Sequence, residues 1–219
     1  MKKGLIQIFD KFDKEDLITG GVIIACLFLY AIFPTNNVFQ QIISSLTFLL
    51  VIPFLYVKII LKKSLKSFGF EKGNWITGIF WSIVSLIISV SIAYIIFKYF
   101  GFSQKYPFPY YFSQHFLAFV AYEVLLVGLF AFLYESFFRG FVMFSFSKKL
   151  GFWAIILQAA IFFLFFLFSG AISWVQAPYF IFLLFAGLIT YFSESIIYSL
   201  ITFVVFNIIF DSFFIHAIK

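Results

Sequence analysis

The chain has 219 residues, of which 64% are hydrophobic and 11% charged, with 39 phenylalanines and a net charge of +6. So apolar a composition implies an integral membrane protein. Its single cysteine, Cys26, excludes a disulfide framework and a cysteine-rich metal site.

Residues 1–17 carry Asp10, Asp13, Glu15 and Asp16, which interrupt any hydrophobic core of a cleavable signal peptide. Leu5, Ile8, Phe9 and Phe12 recur at helical spacing among Lys2, Lys3 and Lys11, a pattern that predicts an amphipathic helix lying on the membrane surface. Seven apolar segments follow, at roughly 18–33, 38–61, 75–97, 115–147, 152–170, 178–193 and 196–215, against the ~20 residues a crossing needs. Pro34 and Asn36–Asn37 separate the first two, and residues 62–74 form a polar connector. Pro107 and Pro109 mark an extended loop before the fourth. That fourth segment would run to about 50 Å as a helix, against about 30 Å of hydrocarbon. Either it tilts strongly or, as the polar end at Ser145, Ser147, Lys148 and Lys149 favours, it leaves the membrane core near Arg139 and continues along the inner surface.

With seven spans and a cytoplasmic N-terminus, twelve of the fifteen basic residues fall on the cytoplasmic side, leaving Lys98, Lys105 and Lys219 opposite. That asymmetry sets the expected orientation and accounts for the positive charge without a nucleic-acid partner. The fold class expected is therefore all-α: one polytopic membrane bundle over residues 1–219, of about seven transmembrane helices plus the N-terminal interfacial helix.

Within the fourth segment, Tyr134-Glu135-Ser136-Phe137-Phe138-Arg139-Gly140 sets a carboxylate and a guanidinium four residues apart, on one helical face. Charges at membrane depth face a protein interior and mark a site, although an ion pair that only fixes the helix would look the same. Glu135, Phe138, Arg139 and Gly140 resemble the first motif of the CPBP intramembrane proteases, the group of CAAX prenyl endopeptidases and bacteriocin-processing or bacteriocin-immunity proteins. That motif reads Glu-Glu-x-x-x-Arg, and Tyr134 stands in place of its first glutamate. The resemblance covers residues 60–210: a connector with Leu65-Lys66-Ser67-Phe68-Gly69-Phe70, then Ala186-Gly187-Leu188, Ser193-Glu194-Ser195-Ile196 and Tyr198 to Asn207.

The resemblance implies a glutamate and histidines that activate water, with polar groups including an asparagine stabilising an oxyanion. The second motif, Phe-x-x-x-His, falls on Phe162-x-x-x-Phe166, and the third, His-x-x-x-Asn, on Phe203-x-x-x-Asn207. Phenylalanine replaces both histidines, and no histidine lies between residues 116 and 215. A phenol is a poor base at neutral pH and a phenyl ring is none at all. Glu135, Arg139 and Asn207 remain as the retained motif positions; Tyr134, Phe166 and Phe203 are the substituted ones, expected to pack together near Asn207 and Glu135 and to exclude water.

Other candidates are His115 and His216 near the outer ends of two segments, Glu123 near mid-membrane, Asp211 one turn beyond Asn207, and Glu194 at the start of the last helix. The expected function is that of a catalytically inactive CPBP-type homologue: a membrane binding or scaffold protein, or a subunit of a membrane complex. The alternative is an active endopeptidase using Glu135 in an atypical site. Expected partners are membrane lipids and a membrane protein or peptide, with no cofactor, metal or nucleic acid. The expected location is a prokaryotic plasma membrane.

Overall fold

A computed structural model describes residues 12–99, 110–170 and 176–218. Among these, seven helices make up an all-helical bundle: α1 (Lys14–Ile32), α2 (Val38–Ile60), α3 (Trp75–Tyr99), α4 (Phe116–Leu150), α5 (Trp153–Phe168), α6 (Ala177–Ser193) and α7 (Ile196–Ile218). Five of them, α1 to α4 and α7, are long and apolar enough to cross a membrane. The 16-residue α5 and 17-residue α6 rise only ~25 Å each, a little short of a full crossing. A five-residue helical turn, Tyr110–Gln114, precedes α4.

The packing is that of a membrane bundle, with large apolar side chains turned outward. On α3, Ile76, Phe80, Ile83 and Ile87 are exposed, while Gly78, Ser85, Ser89 and Ala93 are buried. Small residues let backbones approach where no hydrophobic effect drives helices together. At Gly78 the approach is close, since a Cβ there would sit 2.6 Å from the Tyr198 ring on α7.

Successive helices run back and forth, so the connections collect at two ends. At the first end, α1 begins, the α2–α3 connector folds over the bundle, α4 ends and α6 turns into α7. Lys149 bridges Asp13 and Asp16 there. Asn74 N donates to the Ser193 carbonyl at 2.8 Å and Ile196 N to that of Gly69 at 3.1 Å. Gly73 enables this closure, since its φ is +55° and a Cβ would fall 2.1 Å from the Ser193 oxygen. Of the nine described lysines, only Lys98 lies at the other end.

Two sequence expectations change. Most of the proposed surface helix lies outside the described residues, but Asp13 is a cap: Asp16 N donates to its Oδ1 at 3.0 Å and Asp13 N to Asp16 Oδ2 at 2.9 Å. That capping box starts α1 at Lys14, so residues 14–17 belong to the first long helix. The fourth segment, in turn, stays one continuous helix past Arg139 and is enclosed by protein there. Residues Glu135–Met143 are all buried, in widened π-helical turns at the centre of the bundle. Helices α2, α5, α6, α7 and the 3-10 turn Leu65–Phe68 enclose them, which is how so long a helix keeps a charged stretch out of lipid.

Candidate functional site

The enclosed segment of α4 holds the charged pair. Arg139 Nη1 lies 3.5 Å from Glu135 Oε1, with both side chains no more than 5% exposed. π-helical turns inside a longer helix recur at functional sites, because the extra residue re-aims side chains. Further partners come from three other helices, although among the described residues Arg139 Nε has none. Ser199 Oγ on α7 donates to Glu135 Oε2 at 2.6 Å, and Thr190 Oγ1 on α6 donates to Ser199 at 2.8 Å. Arg139 Nη2 donates to the Leu183 carbonyl at 3.2 Å, which Gln158 Nε2 of α5 also reaches at 3.4 Å. The guanidinium lies 5.8 Å from the Phe162 ring centre.

The sequence identified the pair but not its partners. Of the two supports expected for the pair, Asn207 or neighbouring hydroxyls, it is hydroxyls that reach the glutamate, while Asn207 Nδ2 donates to the Phe203 carbonyl at 2.9 Å. The available signal was the polarity of Gln158, Thr190 and Ser199 inside apolar segments. Their facing one another depends on how three helices pack.

Tyr134, Phe166 and Phe203 lie in one ring network, with Tyr179 as the link to Phe203. Tyr134 lies 6.0 Å from Phe166 and 5.4 Å from Tyr179, ring to ring. Tyr179 then meets Phe203 at 4.8 Å, so Phe203 joins the cluster through a ring that the sequence did not single out. The rings do not close the space completely, contrary to expectation. A cavity of about 280 Å³ remains beside them, lined by Tyr134, Phe166 and Tyr179, and by Tyr122, Asn207 and Asp211. It lies toward the end of the bundle where α2 and α6 begin, since Val38, Gln41 and Pro178 also border it. The tapering junction of five helices leaves a gap that flat rings cannot fill.

Glu123 is fully buried, and its nearest charged neighbour is Asp211 of α7. Asp211 therefore extends the polar region outward from Asn207 and joins it to Glu123. His115 is exposed beside Tyr111, at 4.5 Å between rings, away from Glu135, and the His216 side chain lies outside the described residues. Glu194 is not in α7: it ends α6 in a left-handed conformation, φ 56°. Ser195 caps α7 instead, accepting from Ile197 N at 3.2 Å. Among the described residues, no group of three or more His, Cys, Asp or Glu could hold a metal ion.

Fold and site define a polytopic helical membrane protein with a buried ion pair and an adjoining aromatic cavity. In comparisons with known proteins, no family model matches the chain, and no curated protein or solved structure is significantly similar to it.

Proposed function

We propose that the protein is a non-catalytic relative of the CPBP intramembrane proteases that binds a membrane partner, a protein or peptide, through the retained bundle. The observation that carries this reading is the fate of Glu135. Its carboxylate is tied to Arg139 and Ser199, inside a segment where every residue is buried. A general base must reach a water and a carbonyl carbon, and here ion pair and hydroxyl occupy both oxygens. Phe166 and Phe203 supply neither proton nor lone pair where the resemblance calls for histidine. The motif order supports the relationship: Glu135 and Arg139 pair on α4, while Phe166 of α5 and Phe203 of α7 join one ring cluster and Phe166 and Asn207 border the cavity beside it.

In the same reading, the bundle sits in a prokaryotic plasma membrane with the N-terminus in the cytoplasm. Eight of the nine described lysines gather at the end where α1 starts. The decisive experiment incubates purified protein with prenylated peptides and model transmembrane substrates, beside Glu135→Gln. No cleavage by either protein is expected, whereas cleavage lost in Glu135→Gln overturns the reading. Copurification from mild detergent then separates the two forms of partner binding, since a fixed stoichiometric companion marks a subunit of a complex.

A further inference from the structure

The cavity beside the ring cluster has a lining chemistry that the ion pair does not use. Tyr122, Tyr134, Tyr179 and Phe166 present aromatic surface to it, and Asp211, 5% exposed, lines it with a carboxyl group. No Lys, Arg or His is among its described lining residues. Another acid, the fully buried Glu123, interacts with Asp211. Asn207 adds an acceptor. Its amide nitrogen is used on the Phe203 carbonyl, so its oxygen is the group left for the cavity.

Acid beside acid, with π faces around them, makes a negative site in a low-dielectric setting. Two carboxyl groups brought together in such a setting hold a single negative charge between them, which a cation placed between the carboxyl and the rings compensates. A hard metal ion does not suit the site, because it demands six or more oxygen ligands and gains little from rings. A weakly hydrated organic ammonium does suit it: aromatic faces attract its charge and apolar surface accommodates its carbon groups.

We propose that this cavity binds a small organic cation, its ammonium group held at Asp211 and Asn207 and its apolar groups against Tyr122, Tyr134, Tyr179 and Phe166. The volume, about 280 Å³, sets the scale. It lies just below the ~300–1,000 Å³ of sites that take drug-sized ligands, so the occupant is a compact ammonium ion. The proposal rests on the reading that the bundle binds and does not hydrolyse, and it assigns that binding a chemistry.

The test uses the full chain in detergent, titrated calorimetrically with benzyltrimethylammonium and with its neutral carbon isostere, neopentylbenzene. Thermal unfolding followed by tryptophan fluorescence gives a second readout. The cation is expected to bind and raise the unfolding temperature, and the isostere to bind at least about tenfold more weakly. Asp211→Asn, checked for an unchanged elution profile, should weaken cation binding at least about tenfold. Tyr122→Leu, which keeps both acids, should weaken it severalfold and serves if Asp211→Asn fails to fold. Equal binding of cation and isostere, no binding of the cation, or undiminished binding by a folded variant overturns the proposal. Glu135-dependent cleavage alongside cation binding would sink the non-catalytic reading alone; absence of both would sink the cation site alone.

Discussion

Arg139 carries the strongest residue-scale consequence. A guanidinium 4% exposed keeps its charge in the bundle because Glu135 faces one terminal nitrogen and the Leu183 carbonyl accepts from the other. Truncating one partner of a buried pair leaves the other uncompensated, which costs about 3–5 kcal/mol, while replacing both by apolar groups of similar volume is far milder. Arg139→Ala is therefore expected to lower folded yield and unfolding temperature sharply, and Glu135→Leu with Arg139→Met to recover most of the loss. Fluorescence-detected size exclusion and thermal unfolding check it; an Arg139→Ala protein as stable as the parent would mean the pair is not the keystone of α4. The pair was legible in the sequence because a four-residue spacing is local. Ser199, Thr190 and Gln158 were not, since each is an ordinary polar residue until packing sets it opposite a charge.

Helices are held at their ends as well as along their faces, and α1 shows how. Its first turn is closed by the Asp13–Asp16 capping box and fastened to the end of α4 by Lys149, while Glu15 pairs with Lys63 of the connector. The Lys149 ammonium beside Asp13, with the Asp16 amide, holds the Asp13 carboxyl down from its ordinary 3.8 to about 2. A carboxyl group held low in the fold contributes stability that is complete above its unfolded value and is lost as pH falls through the folded one. The start of α1 should accordingly loosen between about pH 4 and pH 2, seen as faster amide exchange at residues 14–19. Lys149→Met should show that exchange already at neutral pH, and an unchanged, pH-independent exchange pattern would refute the fastening role. Helix existence and approximate limits were legible from apolar runs and from Pro34, Gly151 and the Asn pair. Burial of the Glu135–Arg139 pair was legible as well, since charges at membrane depth face protein; which helices enclose Glu135–Met143 was not, because that depends on packing and not on the segment's own hydropathy.

For the whole molecule, the arrangement of charge and cavity follows from the same back-and-forth path of the chain. Each short connection returns the chain to one of two ends, so the α2–α3 connector, the end of α4 and the α6–α7 turn gather with the lysines. The cavity consequently lies toward the opposite end, where Val38, Phe166 and Pro178 border it. In the proposed orientation, with the basic end in the cytoplasm, that cavity would lie toward the outer side. A membrane-impermeant maleimide added to intact cells tests the orientation on single cysteines placed at exposed Asn36 and Lys66, one at each end. The native Cys26 is 2% exposed and shielded from reagent. Asn36→Cys is expected to react from outside, and Lys66→Cys only after permeabilisation. Reaction of Lys66→Cys alone in intact cells would invert the molecule and turn the cavity toward the cytoplasm. Reaction of both there would break the two-ended arrangement itself, since no alternating bundle could expose both sites on one side.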